Sequence, residues 1–133
     1  MDYDVVIIGG GPSGLATAIK LAQTFKEKNL EKSICLLEKS AEIGGHILSG
    51  NVFETTALDE LIPDWKEKGA PLDVKVKRDA IKFLINDKYS LPVPSFVMPT
   101  MQNHGNYILS LGNLCRWLAA VSYTHLTLPT KVY

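Results

Sequence analysis

The chain has 133 residues, and its 14 basic and 14 acidic side chains give a formal net charge of zero at pH 7. Hydrophobic residues make up 46% and charged residues 21% of it, the composition of one ordinary globular domain. No excess of lysine or arginine is available to neutralise phosphates, which argues against a nucleic-acid partner. The apolar run from Val5 to Ile8 is far shorter than the roughly 20 residues of a membrane-spanning helix, so we expect a soluble chain.

Strand, helix and strand patterns follow one another at the start of the chain. Tyr3 to Ile8 is rich in β-branched residues and is followed by three glycines, which predicts a strand buried on both faces. Apolar residues then recur at i, i+3, i+4 and i+7 and predict an amphipathic helix of about 15 residues. Those residues are Leu15, Ala18, Ile19 and Ala22. Ile34 to Leu37 predicts a second buried strand, so we expect a parallel βαβ unit.

The middle of the chain predicts shorter elements. The segment from Glu42 to Gly50 contains three glycines and predicts a loop. Thr55 or Thr56 is a candidate cap for a short helix that Pro63 would end. The runs Ile81 to Ile85 and Tyr89 to Val93 flank an Asn-Asp-Lys turn and predict a β-hairpin.

Beyond the hairpin the pattern becomes irregular and then helical. Pro92 to Pro99 predicts an extended, irregular stretch because three prolines fall within it. Tyr107 to Leu111 is a candidate strand, and Asn113 to Ala120 begins a helix. The cysteines Cys35 and Cys115 match no metal-ligand spacing, and we expect both to lie in the core.

The last 13 residues differ from the rest. After Ala120 the amphipathic pattern stops, and the uncharged string from Val121 to Thr130 resembles the translation of a transposon sequencing adapter read in one frame. We therefore predict that residues 121–133 are a non-native tail and that residues 1–120 are the first part of an incomplete domain. A genuine strand ending at Pro129 is the alternative.

One motif indicates chemistry. Residues Gly9 to Gly14 match G-x-G-x-x-G between the first predicted strand and its helix, and an acid, Glu38, ends the second strand. In this motif Gly9 allows a tight turn, Gly11 lets the backbone approach a pyrophosphate, and Gly14 lets the helix pack on the strand. The helix N-terminus favours phosphate, and the carboxylate of Glu38 accepts hydrogen bonds from ribose hydroxyls while repelling a 2′-phosphate. The sequence therefore predicts a dinucleotide site.

The dinucleotide is FAD or NAD, since both contain an ADP half. A motif at the start of the chain, with glutamate as its acid, favours FAD. The loop Gly44-Gly45-His46 supports this interpretation, because glutathione-reductase-type flavoenzymes often place a small-residue turn there. His46 by itself is more typical of a structural loop histidine than of a catalytic base.

Three later blocks are more specific. Ile43 to Gly50, Pro63 to Leu72 and Asn103 to Tyr107 resemble the electron-transfer flavoprotein–ubiquinone oxidoreductase family, and the resemblance extends from Asp2 to Ala120. Gly45 departs from the family, whose members commonly carry alanine there. The fold class that follows is α/β: a Rossmann-like FAD-binding βαβ unit, then a β-hairpin and α+β insertion, in an incomplete domain.

The resemblance implies that the parent protein is a membrane-associated enzyme whose FAD and 4Fe-4S cluster carry electrons from reduced electron-transfer flavoprotein to ubiquinone. It would be peripheral on the bacterial cytoplasmic or mitochondrial inner membrane. The cluster ligands, the quinone pocket and the membrane contact would lie beyond residue 120. The candidate cofactor-binding residues are Gly9, Gly10, Gly11, Pro12, Ser13, Gly14, Glu38, Lys39, Gly45, His46, Ser49 and Gly50. No residue is a candidate catalytic acid, base, nucleophile or metal ligand.

Two other hypotheses stay open. The parent could be another FAD-dependent oxidoreductase, such as a monooxygenase, since these enzymes use the same fingerprint. Alternatively, the chain by itself is an incomplete dinucleotide-binding module without activity, because the second flavin-binding segment would lie outside it. We favour the second hypothesis for the 133 residues as they stand.

Overall fold

The computed structural model describes residues 2–124 and 130–132. Its strands are β1 Val5–Ile8, β2 Ile34–Leu37, β3 Asn51–Phe53, β4 Val74–Lys75, β5 Ile81–Leu84, β6 Ser90–Val93, β7 Tyr107–Leu109 and β8 Thr130–Val132. Its α-helices are α1 Pro12–Glu27, α2 Thr56–Leu61 and α3 Leu111–Thr124. Two short 3₁₀ turns, Ser95–Val97 and Pro99–Met101, lie within and after the proline-rich stretch.

The first sheet is parallel and has the order β1-β2-β8. Val5 pairs with Ile34 and Ile8 with Leu37, so β1 and β2 end together at the turn that enters α1. Helix α1 is the crossover between these two strands. The expected parallel βαβ unit is therefore confirmed.

Helix α1 presents one apolar stripe to the core. The four residues that predicted it are each no more than 1% exposed, and they join Leu114 and Leu118 of α3 in one cluster. Proline at the first helical position suits the start of α1, because its fixed φ fits a helix and its missing N–H has no intrahelical partner to lose.

Strand β1 differs from the prediction. The side chains of Val6 and Ile8 are 52% and 86% exposed, whereas Val5 and Ile7 pack against the core. The prediction of burial on both faces was wrong for this strand. Successive strand residues point to opposite faces of a sheet, and the core cluster of the described residues lies against only the face that carries Val5 and Ile7.

The second sheet is antiparallel and has the order β3-β7-β4. Helix α2 follows β3 and ends at Leu61, before Pro63, as predicted. Thr55, one of the two predicted caps, lies at the N-cap position of this helix, but the side-chain hydrogen bond that a cap would make is absent. Its hydroxyl donates to Asp59 Oδ2 at 2.9 Å instead. The backbone of Thr55 is in the helical region, with φ −84° and ψ −6°, and not in the extended conformation in which a cap side chain accepts an N–H of the first turn.

The predicted hairpin is confirmed as the antiparallel pair β5 and β6. Its turn is closed by Asn86, whose side-chain oxygen accepts the N–H groups of Lys88 and Tyr89, both at 2.9 Å. Large apolar side chains are exposed on the hairpin and just beyond it, including Phe83 at 64% and Phe96 at 80%.

Helix α3 begins at Leu111, two residues earlier than predicted, and continues past Ala120 to Thr124. Val121 and Ser122 are buried in it. The remainder of the predicted tail falls partly on residues 125–129 and 133, which lie outside the described residues, and its origin stays a prediction. Cys35 and Cys115 are buried in the core, as expected. Within residues 2–124 and 130–132, none of the helices has the length and apolar character needed to cross a membrane.

Candidate dinucleotide site

The turn between β1 and α1 requires glycine at two positions. Gly9 has φ +106°, a left-handed conformation that side chains disfavour, and its N–H donates to the carbonyl of Leu37 at 2.7 Å. A Cβ built on Gly14 would overlap the carbonyl oxygen of Gly9. The absence of a side chain at Gly14 therefore lets α1 start directly against the end of β1.

The remaining glycine of the motif, Gly11, faces open space. A Cβ built on Gly11 would meet nothing within 4 Å in the described structure. Gly11 caps α1 in an extended conformation, and no side-chain cap hydrogen bond is made there. The first backbone N–H groups of α1 and the positive end of its dipole are thus available to an anion. This is a cradle that fits a pyrophosphate.

Glu38 is held by backbone donors from two segments. The N–H of Gly10 donates to Oε2 at 2.6 Å, and the N–H of Ser40 donates to Oε1 at 2.7 Å. The hydrogen bond from Ser40, followed by that from Gly10, lowers the pKa of Glu38 below its usual value, and the charge of His46 adds to the shift. The half-buried carboxylate therefore stays ionised and oriented, with lone pairs left for hydroxyl donors.

The other predicted residues differ in exposure and in contacts. Lys39, His46 and Ser49 are exposed. Gly45 lies against Ser40, because a Cβ built on it would overlap the hydroxyl of that serine. Gly50 has φ +81° and directly precedes β3.

The last residue of β3 lies near the start of α1. Phe53 of β3 and Pro12 of α1 line one apolar groove, together with Leu114 of α3. The structure thus brings the end of β3 near the N-terminus of α1. Pro12 and Ser13 are themselves exposed at that terminus.

Ser40 and Gly112 were not among the residues that the sequence indicated, and the partner of Gly44 was not predicted. Ser40 contacts Glu38 through its backbone N–H. Every residue except proline has this group, so the residue type gives no indication of the contact. Gly44 and Gly112 are in close backbone contact although they are distant in sequence, and a Cβ on Gly44 would lie 2.6 Å from the carbonyl oxygen of Gly112. Nothing in the residue spacing indicates such a pair.

Known proteins resemble the chain both in this unit and over most of its length. Residues 7–65 match the family model described as an NAD(P)-binding Rossmann-like domain. A relative from Pseudomonas aeruginosa, named electron transfer flavoprotein-ubiquinone oxidoreductase, is 56% identical over 120 residues, which is 90% of this chain. This chain belongs to the electron transfer flavoprotein–ubiquinone oxidoreductase family.

Other relatives agree with this family assignment. A mitochondrial electron transfer flavoprotein-ubiquinone oxidoreductase from Arabidopsis thaliana is 50% identical over 134 aligned positions, covering 100% of this chain. The chain spans only 22% of the Pseudomonas relative and 20% of the Arabidopsis one. The chain thus spans about a fifth of the length of these two relatives.

Solved structures support the fold. The p-nitrophenol 4-monooxygenase PnpA of Pseudomonas putida covers 97% of this chain with a TM-score of 0.57 and 16% identity, over 31% of its own length. The myxobacterial chondrochloren halogenase CndH, a FAD-dependent halogenase, covers 98% with a TM-score of 0.55 and 18% identity, over 28% of its length. At these identities the likeness extends to the fold alone, a Rossmann-like α/β unit.

Proposed function

We propose that this chain is the FAD-binding portion of a flavoprotein that passes electrons from reduced electron-transfer flavoprotein to ubiquinone. The names of its relatives support this activity for the parent protein. One observation within the chain carries the dinucleotide part of the proposal. The ionised carboxylate of Glu38 is bound by the N–H of Gly10, so the ribose acceptor and the open cradle at Gly11 belong to one rigid unit.

The ADP half of the cofactor would occupy this unit. The pyrophosphate would lie at the N-terminus of α1, against the residues Gly9, Gly10, Gly11, Pro12, Ser13 and Gly14. Glu38 would accept hydrogen bonds from the ribose hydroxyls, with Lys39 beside it at the end of β2. Because Glu38 is ionised, a 2′-phosphate would be repelled.

The flavin half would extend towards the loop before β3. Gly45 and His46 lie on the Glu38 side of this loop, and Ser49 and Gly50 lead into β3, whose Phe53 shares a groove with Pro12. The flavin would supply the redox chemistry when bound, and the chain's residues would position it. Roles for Gly45, His46, Ser49 and Gly50 follow from this path and from the family resemblance.

The rest of the proposed activity needs residues that this chain does not contain. In the parent protein a 4Fe-4S cluster would relay electrons to ubiquinone, and its cysteine ligands would lie elsewhere. The two cysteines of this chain are buried in separate elements, and burial raises the pKa of the Cys115 thiol to about 11. We propose a membrane-peripheral parent, on the bacterial cytoplasmic or mitochondrial inner membrane, with the membrane contact outside this chain.

The test is a titration of the purified chain with FAD and with ADP as a competitor. The wild-type chain should bind both, since the ADP half of the site is present. Glu38→Gln should weaken ADP binding by about ten-fold or more, because hydrogen bonds to a charged acceptor are the strong ones. NADP should compete poorly against the wild-type chain.

Glu27→Gln is the matched control. This exposed glutamate ends α1 at the pole opposite Gly11, and its substitution should leave ADP binding unchanged. Equal losses in both variants, or no binding of either ligand by the wild-type chain, would contradict the proposed site.

A second candidate function is an incomplete dinucleotide-binding module without activity of its own. The observation that favours it is the chain's coverage of only 22% of its Pseudomonas relative. The same titration separates the two candidates. Retention of FAD in a one-to-one ratio through gel filtration supports a complete flavin site, whereas binding of ADP with loss of FAD supports the incomplete module. Among other FAD enzymes, a monooxygenase shares only the fold with this chain.

A further inference from the structure

The loop that follows β2 is docked on the first turn of α3. Gly44 and Gly112 are both buried, and their backbones touch: a Cβ on Gly112 would lie 3.0 Å from the carbonyl oxygen of Gly44. This is shorter than the usual approach of a carbon to a carbonyl oxygen. Arg116, one turn further along α3, reaches Glu42 Oε1 at 3.1 Å. The loop is therefore attached to α3 by two contacts, the backbone contact of Gly44 with Gly112 and the ion pair of Glu42 with Arg116.

The same loop is in contact with the acid of the dinucleotide site. The N–H of Gly45 donates to the carbonyl of Glu42 at 3.2 Å, which closes a turn next to Gly44. The hydroxyl of Ser40 fills the space where Gly45 lacks a Cβ, and the N–H of Ser40 binds Glu38. A displacement of the loop would thus be transmitted to Ser40 and to the carboxylate.

We propose that Gly112 is a positioning residue for dinucleotide binding. It lets the loop of residues 42–46 approach α3 closely enough for Ser40 to hold Glu38 in its ribose-binding orientation. Helix α3, whose start is remote from the glycine-rich turn in sequence, then sets the geometry of the ribose acceptor. The inference rests on the proposed function, because it deepens the role of Glu38 at the same site.

The test is a double-mutant cycle on the full chain, with ADP as the probe. Gly112→Ala should weaken ADP binding by about five-fold, since coupled residues in one network interact by amounts of this order. In the Glu38→Gln background the same substitution should change ADP binding by less than about two-fold. A role confined to general stability would produce the same loss in both backgrounds, which would overturn the proposal.

Alanine is a better helix former than glycine, so Gly112→Ala favours α3 itself, and circular dichroism checks that the helices are retained. Arg116→Met is a second variant that releases the loop from the surface without touching the core. It should weaken ADP binding about two-fold in the wild-type background only. Unchanged binding in both variants would overturn the role of Gly112 while the loss in Glu38→Gln still stood. Absence of ADP binding by the wild-type chain would instead overturn the proposed function.

Discussion

At the scale of single residues, Asp4 ties the beginning of β1 to the beginning of β2. Its carboxylate accepts hydrogen bonds from Lys32 Nζ at 2.8 Å, from the N–H of Ser33 at 2.8 Å and from the hydroxyl of Ser33 at 2.9 Å. These partners, led by Lys32, hold the pKa of Asp4 well below its ordinary value of 3.8. The interaction precedes the first register pair of the parallel sheet, Val5 with Ile34.

The pKa of Asp4 predicts a pH-dependent contribution to stability. A carboxyl whose pKa is lower in the folded than in the unfolded chain stabilises the fold fully above its unfolded pKa, near 3.8, and loses that contribution as the pH falls below it. Asp4→Asn should therefore lower the urea midpoint of unfolding at pH 6, and the gap from the wild type should narrow at pH 3. A gap that widens at pH 3 would contradict this assignment.

The carboxylates of Glu38 and Asp4 both accept backbone N–H groups, but they lie at opposite ends of strands β1 and β2. Both have lowered pKa values. Asp4 lies where the strands begin, away from the glycine-rich turn. Glu38 lies where they end, at the edge where ligands bind in open α/β sheets. If Glu38 binds the dinucleotide as we propose, its position in the sheet, and not its hydrogen-bonding chemistry, distinguishes it from Asp4.

At the scale of elements, α3 packs against α1 and fastens the segment after α2. Leu114 and Leu118 join Leu15 and Ile19 in the core cluster. The indole N–H of Trp117 donates to the carbonyl of Lys68 at 2.9 Å, and Trp65 in the same segment contacts the ring of Tyr107 edge to face. Helix α3 thus packs directly on the βαβ unit and is connected to the second sheet through the segment that contains Trp65 and Lys68.

The packing of α3 predicts a large difference between two leucines. Leu114 is 2% exposed, and Leu114→Ala should lower the free energy of unfolding by about 2–5 kcal/mol, because it removes buried methyl groups and leaves a cavity. Leu84 of the hairpin is 74% exposed, and Leu84→Ala should change that free energy by less than about 0.5 kcal/mol. Urea unfolding of both variants measures the difference. Similar losses would show that α3 does not pack as described.

At the scale of the whole molecule, the hairpin of β5 and β6 stands apart from the main core. Within the described residues its two strands pair only with each other, and none of their side chains is buried. The buried cluster instead draws on the three α-helices, β2 and β7, and the segment from Ile62 to Leu72. The molecule therefore has a packed body and a projecting hairpin.

This organisation predicts two levels of protection against hydrogen exchange. The paired amides of Ile81–Leu84 should exchange faster than those of Ile34–Leu37, because few buried apolar contacts oppose the opening of the hairpin. Native-state exchange followed by NMR measures both groups in one sample. Equal protection of the two groups would contradict the separation of hairpin and body.

The sequence by itself determined the features that depend on neighbouring residues. The glycine motif, the four buried positions of α1 and the turn at Asn86 could all be predicted, because backbone conformation and helical periodicity act over a few residues. Glu38 directly follows β2, as the motif requires of its acid, and its role as the ribose acceptor stays a prediction. Resemblance in the later blocks also led to the family that the relatives confirm.

Only the tertiary structure decided which surfaces meet. Burial of β1 on one face depends on where the helices pack, and the missing cap hydrogen bond of Thr55 depends on the backbone conformation at the start of α2. Gly44 and Gly112 are in contact although they are far apart in the chain. Glycine has no side chain, so its residue type gives no indication of which residue it will contact. Long-range packing of this kind arises from the complete set of element positions, which local sequence patterns do not specify.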